Sequence, residues 1–140
     1  VLAHHLGRLM RPPQRGAIIF SASIAGYNSI PFWANYSASK AYDLLLAESL
    51  SEELKEDNVD VLALCPGATH TEFSRYTGFL ANFMTMQPEK VVNQALTRLG
   101  KQSTTVVGVL NNLIVLTYRF LPRKLSRILG GTVIRDMVDS

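Results

Sequence analysis

Three side chains in the first third of the chain are of types that can take part in proton transfer. Ser23 lies thirteen residues before Tyr36, and Lys40 follows Tyr36 by four residues. Residues four apart on a helix share one face, so the phenol and the ammonium are expected to be neighbours. A tyrosine ordinarily has a pKa of about 10, and a nearby cation lowers such a pKa by about 1–3 units. The pattern therefore predicts a tyrosine that can exchange a proton near neutral pH.

The surrounding sequence predicts a scaffold that brings these side chains to one place. Residues 17–21 form an apolar run of strand length, a helix follows over about 35–57, and Val59–Cys65 reads as a second buried strand. Strand, helix and strand make a βαβ unit with a right-handed crossover, which is typical of α/β proteins. Ligands bind beyond the carboxyl ends of parallel strands, so residues 21–23 and the Pro66-Gly67 turn are expected at one functional edge.

The remaining segments read as mostly helical. We expect the end of an amphipathic helix before Met10, a loop over residues 22–35, a helix over 88–99 and a third strand over 104–107. Residues 109–139 look helical, with a break at Pro122 and another at Gly130-Gly131. We interpret the chain as a single partial domain over residues 1–140, with a catalytic core half (1–75) and a substrate-loop and C-terminal helical region (76–140).

Ser23, Tyr36 and Lys40, with the strand before the serine and the Pro-Gly turn after the next strand, resemble the active-site pattern of the short-chain dehydrogenase/reductase family. The resemblance covers about residues 1–75 and includes the run Ser21-Ala22-Ser23-Ile24-Ala25-Gly26. It implies an α/β fold with a Rossmann-like, doubly wound parallel sheet, of which this chain holds the C-terminal half only. It also implies an oxidoreductase that transfers hydride between NAD or NADP and a carbonyl or alcohol substrate.

The resemblance assigns roles to individual residues. Tyr36 would be the general acid or base, Lys40 would lower its pKa and hold a ribose hydroxyl, and Ser23 would donate a hydrogen bond to the substrate oxygen. The residues that would contact the cofactor are Tyr36, Lys40, Pro66, Gly67, Thr69 and Thr71. Thr71 has a second interpretation, as the cap of a following helix.

The chain departs from the family in its nucleotide-binding part. No Gly-x-x-x-Gly-x-Gly loop follows a strand anywhere in the sequence, and the helix asparagine of the family's catalytic tetrad would lie just before Val1. We therefore expect activity to belong to a longer parent protein. We also expect the strand over residues 17–21 to expose an unpaired apolar edge when the chain is isolated, which predicts poor solubility.

Two other functions remain open at this stage. One is a catalytically silent fragment or binding protein that keeps the family's fold. The other is an isomerase or epimerase acting on sugar nucleotides, which the few polar groups after Pro66-Gly67 disfavour. Several apolar side chains either line a pocket for an apolar carbonyl substrate or simply pack in the core: Phe32, Trp33, Phe79, Phe83 and Met84.

Composition limits the partners and ligands. The net charge is +3 without a dense Lys/Arg run, which argues against nucleic acid. Cys65 is the one cysteine, so an internal disulfide and a paired-cysteine zinc site are excluded, and His4-His5 has no further ligand nearby; we expect no metal. The apolar segment 106–127 with its cations suits a membrane surface, a pocket cover or a subunit interface. We expect a cytoplasmic protein that is either free or membrane-associated, and the resemblance implies a homo-oligomer.

Overall fold

A computed structural model describes residues 2–72 and 85–138 of the chain. Its strands are β1 (Gly16–Ser21), β2 (Val59–Cys65) and β3 (Thr104–Val106). Its α-helices are α1 (Leu2–Met10), α2 (Ala34–Glu53), α3 (Pro88–Arg98), α4 (Val109–Phe120) and α5 (Arg123–Val138), and a short 3-10 helix covers Ile24–Tyr27. Phe79, Phe83 and Met84, which the sequence suggested as pocket residues, lie outside the described residues.

The three strands form a parallel sheet in the order β1-β2-β3, which confirms the predicted α/β architecture. Gly16 pairs with Val59 at one end of the β1-β2 ladder and Ser21 pairs with Leu64 at the other. Helix α2 connects these two strands and packs on both. The predicted βαβ unit is therefore present, and the carboxyl ends of β1 and β2 lie side by side.

The core lies around β2, because this strand is apolar on both faces. Alternate residues Val61, Ala63 and Cys65 are buried in one cluster with Leu44 and other residues of α2. Leu62 points to the opposite face and is also fully buried. Burial of both faces is what the nearly continuous apolar sequence of β2 predicts for a central parallel strand.

The two edges of the described sheet differ. On β3, the side-chain amides of Gln94 and Asn112 donate to the Val106 carbonyl at 3.1 and 2.9 Å, and Gln102 donates to the Thr104 carbonyl at 2.7 Å. These bonds occupy acceptors that another strand would need. On β1, alternate residues are exposed, and Ile19 keeps 40% of its surface in contact with solvent. Strand β1 is thus the other end strand of the described sheet, and one of its faces is exposed.

Helix α2 differs from its predicted span at both ends. It begins at Ala34 and ends at Glu53, four residues before the predicted end. A turn follows, in which the Val59 amide donates to the Leu54 carbonyl at 3.2 Å and Asn58 takes a φ of 54°. Leu54 is buried, so the chain has to reverse immediately after it to enter β2. The segment before α2 also contains the 3-10 helix, where a loop alone was predicted.

The predicted break at Gly130-Gly131 is wrong, because α5 runs through both glycines. A Cβ atom on Gly131 would lie 3.0 Å from Pro31 Cγ, and one on Gly130 would lie 3.5 Å from Asn28 Nδ2. The glycines allow the helix to approach another segment closely, and they do not interrupt it. The predicted break at Pro122 is present, since α4 ends at Phe120 and α5 begins at Arg123.

Candidate active site

Ser23 is held where the chain leaves β1. The strand ends at Ser21, and Ser23 caps the 3-10 helix by accepting the Ala25 amide at 3.1 Å on its Oγ. The Ser23 hydroxyl donates to the Pro66 carbonyl at 3.4 Å, and the Ile24 amide donates to the same carbonyl at 3.1 Å. The ends of β1 and β2 are thus tied together. Because 3.4 Å is long for an O–H···O bond, little opposes rotation of this hydroxyl toward another acceptor.

Tyr36 and Lys40 occupy the first two turns of α2 and share one face, as their spacing predicts. The Lys40 Nζ lies 6.0 Å from the centre of the Tyr36 ring. It donates to the Ser21 carbonyl at 2.7 Å and to Asp43 Oδ2 at 3.2 Å. These two bonds use two of the three donors of an ammonium group. Lys40 therefore joins α2 to the end of β1, which brings the cation to the segment that carries Ser23.

Sequence reasoning missed Asp43 and the role of Gly26. Asp43 follows Lys40 by three residues, and this helical spacing of opposite charges was a usable signal. A Cβ atom on Gly26 would lie 2.7 Å from the Lys40 carbonyl oxygen and 2.9 Å from its carbon. The 3-10 helix consequently packs directly on the backbone of α2. This contact sets the separation between the segment with Ser23 and the helix with Lys40.

The Pro66-Gly67 turn follows β2 at the same edge of the sheet. A Cβ atom on Gly67 would lie 2.6 Å from the Asn111 amide group, which also donates to the Val107 carbonyl at 2.6 Å. Asn111 was not predicted, because its contact with Gly67 is purely tertiary. Thr69 donates to the Gly67 carbonyl at 3.1 Å. Thr71, the last predicted cofactor residue, is exposed and donates to the Thr69 carbonyl at 3.4 Å.

Aromatic side chains lie immediately before Tyr36 and Lys40 in the chain. The Trp33 ring meets the Tyr36 ring edge to face, with 5.5 Å between the ring centres. Phe32 is 57% exposed and its φ is 69°, in the left-handed region that bulky residues seldom adopt. Trp33 therefore supports the Tyr36 ring, while Phe32 offers apolar surface to solvent.

The buried Cys65 thiol and the half-buried Tyr27 phenol, beside the site, do not take part in proton exchange near neutral pH. Burial raises the pKa of the Cys65 thiol to about 11, so the thiol stays protonated and a poor nucleophile. Burial also raises the pKa of the Tyr27 phenol, with a further contribution from the neighbouring Cys65. Tyr27 borders an open cleft of about 380 Å³ along α3 and β3, and Ser23, Tyr36 and Lys40 are absent from its lining.

Known proteins resemble the chain in sequence. A family model described as short chain dehydrogenase matches residues 1–78. A 7beta-hydroxysteroid dehydrogenase of Clostridium sardiniense is 35% identical over 114 residues, which cover 79% of this chain and 43% of that protein. An acetoacetyl-CoA reductase of Rhizobium meliloti is 35% identical over 95 residues, which cover 68% of this chain and 35% of that protein. The chain thus spans less than half the length of these relatives.

Solved structures resemble the fold. A structure from a study of 7beta-hydroxysteroid dehydrogenase stereoselectivity superposes with a TM-score of 0.81 at 26% identity, over 91% of this chain and 52% of that one. A short-chain dehydrogenase from Sphingobium yanoikuyae in complex with NADPH superposes with a TM-score of 0.64 at 27% identity, over 83% of this chain and 47% of that one. The similarity therefore extends past the family-model match into the C-terminal helices.

Proposed function

We propose that this chain, which belongs to the short-chain dehydrogenase family, carries the proton-transfer half of an NAD- or NADP-dependent oxidoreductase that interconverts a carbonyl and an alcohol. The observation that carries the proposal is the position of Lys40. Its ammonium lies 6.0 Å from the Tyr36 ring and 2.7 Å from the Ser21 carbonyl, two residues before Ser23. A phenol, a cation and a hydroxyl at one strand end are the groups that carbonyl reduction needs.

In the reductive direction, Tyr36 would donate its proton to the substrate oxygen, and in the oxidative direction the phenolate would take it back. Lys40 is the positive charge beside this phenol, with its Nζ 6.0 Å from the centre of the Tyr36 ring. Ser23 would rotate its hydroxyl from the Pro66 carbonyl to the substrate oxygen and stabilise the charge that develops there. A bound nicotinamide cofactor supplies the hydride, which no side chain can supply.

The residues at this edge fit the nicotinamide-ribose end of such a cofactor. Lys40 offers an ammonium donor for a ribose hydroxyl, and the Pro66-Gly67 turn with the Thr69 and Thr71 hydroxyls offers polar groups beside a glycine. The sequence contains no Gly-rich loop for the phosphates. We therefore assign Tyr36, Lys40, Pro66, Gly67, Thr69 and Thr71 to one end of the cofactor only.

We further propose that the chain is the C-terminal half of a doubly wound sheet. The exposed face of β1, with Ile19 40% exposed, supports this, since a parallel strand is ordinarily covered on both faces. The lengths of the relatives agree with it, because the chain covers 43% of the hydroxysteroid dehydrogenase. Residues 1–75 would then form the catalytic core half and residues 76–140 the substrate region.

For the substrate we propose an apolar carbonyl or alcohol. Phe32 exposes apolar surface directly before Trp33 and Tyr36. The relative at 35% identity over 79% of the chain is named a hydroxysteroid dehydrogenase, which is an enzyme of a bulky, largely apolar alcohol. A ring system of that kind would bury more apolar surface against Phe32 than a small polar ketone would.

The proposal includes a homo-oligomer and a cytoplasmic location. Residues 106–127 would form a peripheral membrane contact, a cover of the substrate pocket or a subunit interface. Exposed Leu45 on α2 supports an interface on the helix that bears Tyr36. Helix α4 has no buried residue, and its exposed apolar positions precede a cationic stretch at 123–127. No helix in the described ranges is long and apolar enough to cross a membrane.

The decisive experiment restores the upstream coding sequence and measures the complete protein. We expect saturable binding of NADH or NADPH, followed by nicotinamide fluorescence, and reduction of a bulky apolar ketone. Tyr36→Phe should lower kcat by about 10²–10⁴-fold, the usual contribution of a general acid. Tyr42→Phe is the matched control, because it removes a hydroxyl from an exposed position on the same helix.

Equal rates for Tyr36→Phe and Tyr42→Phe would refute the proposed chemistry. Failure of an intact fold to bind either nucleotide would instead favour the catalytically silent alternative. A NADH or NADPH preference in the binding step would identify the cofactor.

A further inference from the structure

The C-terminal helix α5 is bonded to the loop that precedes Tyr36. The Asn28 amide donates to the Ser126 carbonyl at 3.0 Å, and the Ser126 hydroxyl donates back to Asn28 Oδ1 at 3.0 Å. Ser126 is only 2% exposed. A reciprocal pair of partly buried hydrogen bonds between residues 98 apart in sequence fixes the position of the helix on the loop.

Helix α5 and the loop also pack closely beside this pair of hydrogen bonds. The positions where Cβ atoms would stand on Gly130 and Gly131 lie 4.0 Å from Ile30 and 3.0 Å from Pro31, respectively. One turn further along α5, the Arg135 guanidinium lies 5.4 Å from the centre of the Phe32 ring, a cation–π distance. Helix α5 thus lies against the loop at Asn28, Pro31 and Phe32.

The loop that α5 holds in place continues directly into the start of α2, which carries Tyr36. The Trp33 amide donates to the Ile30 carbonyl at 3.1 Å, and the Ser37 amide donates to the Trp33 carbonyl at 2.9 Å as α2 begins. The Trp33 ring then packs on the Tyr36 ring. Phe32 keeps a left-handed backbone in this stretch, and such a conformation persists only where its surroundings determine it.

We infer that α5 is a positioning element of the active site, acting through the Asn28–Ser126 pair and Gly131 to hold the loop that sets Trp33 and the Tyr36 ring. Its effect on turnover rests on the proposed function, whereas its effect on Trp33 does not. Ser126 and Asn28 are positioning residues, since neither would touch the reacting atoms.

Three variants of the complete protein separate this role from general stability. Asn28→Ala removes both bonds of the pair. Ser126→Ala removes the bond from the hydroxyl to Asn28, together with the bond of the same hydroxyl to the Arg123 carbonyl at 3.2 Å within α5. Thr132→Ala is the matched control on α5, because the Thr132 hydroxyl is exposed and donates to the Leu129 carbonyl within the helix. Circular dichroism establishes whether each variant folds. If Asn28→Ala does not fold, Ser126→Ala provides the test.

Two readouts report on the loop itself. Trp33 is the one tryptophan of this chain, and selective isotope labelling of it in the complete protein gives a resonance from the ring that packs on Tyr36. Amide hydrogen exchange at Trp33 measures how often the loop opens. One lost hydrogen bond between α5 and the loop should lower the protection of this amide about fivefold in Ser126→Ala, and two should lower it further in Asn28→Ala. In both variants kcat should fall while the KM for the nucleotide stays unchanged.

An unchanged Trp33 resonance and unchanged protection in Asn28→Ala or Ser126→Ala would overturn the inference, as would an equal change in Thr132→Ala. A shift of the Trp33 readouts with unchanged kcat in an active enzyme would also overturn it, because α5 would then hold the loop without positioning the site. If the parent protein shows no activity at all, the proposed function fails separately, and the Trp33 readouts still decide whether α5 sets the loop.

Discussion

Gly26→Ala tests whether the contact between the 3-10 helix and α2 sets the geometry of the site. The added Cβ atom would lie 2.7 Å from the Lys40 carbonyl oxygen, whereas ordinary van der Waals contact begins at 3.4 Å. The two backbones therefore have to separate by about 0.7 Å, the difference between those distances. Neither partner is a flexible side chain, so the strain cannot be relieved by a change of rotamer.

Both stability and turnover should respond to this separation. Overpacking of this kind destabilises a protein by about 1–3 kcal/mol. A displacement of about 1 Å can lower a catalytic rate about 10²-fold, so a shift of about 0.7 Å should lower kcat by roughly 10–100-fold. The Lys40 ammonium would move away from the segment that carries Ser23, while the Pro66-Gly67 turn stays in place. Because the contact of Lys40 with a ribose hydroxyl would weaken while the Pro66-Gly67 turn keeps its place, nucleotide affinity should fall, but by less than kcat.

The assay compares urea unfolding and ketone reduction in the complete protein with those of Gly7→Ala. Gly7 lies on α1, away from the site. A Cβ atom on Gly7 would meet only the flexible Leu54 side chain, at 3.3 Å. Because alanine favours a helix interior over glycine by about 1 kcal/mol, this control should be neutral or slightly more stable. Wild-type stability and wild-type kcat in Gly26→Ala would refute the reasoning.

Two other perturbations test the buried end of β2 and the exposed face of β1. Burial raises the pKa of the Cys65 thiol to about 11 in the folded protein, from an ordinary value of 9.0. Stability is therefore lost by about 3 kcal/mol as pH rises from about 9 to about 11, and this group does not affect it below pH 9. Urea unfolding of Cys65→Ala should lack this component, and an identical pH dependence in the two proteins would contradict it. The isolated 140-residue chain should self-associate in sedimentation velocity experiments. Ile19→Lys on β1 should reduce this association more than Leu96→Lys, which changes an exposed residue on α3. A monodisperse wild-type chain would contradict this prediction.

Local signals in the sequence were enough to predict much of the fold. The apolar run of β2 predicted a strand with the observed bounds, since a strand covered on both faces needs apolar residues throughout. The spacing of Tyr36 and Lys40 predicted a shared face because helical geometry depends only on the chain itself. The order of the elements implied parallel strands, and ligands bind at the carboxyl ends of such strands. The site was therefore predicted at the carboxyl edge of the sheet.

Close approaches between distant segments could not be predicted in the same way. Glycines at 130 and 131 suggested a break, since glycine disfavours a helix interior, but contact with Pro31 outweighs that preference. Three contacts join segments whose separation the sequence does not encode locally. They are the hydrogen bond of Lys40 to the Ser21 carbonyl, the close approach of Asn111 to Gly67, and the hydrogen bond of Ser126 to Asn28. The sequence by itself therefore determined the chemical groups and the elements that carry them. Tertiary packing decided which backbones touch, and hence how the phenol, the cation and the hydroxyl are held, because steric fit depends on all the surrounding residues at once.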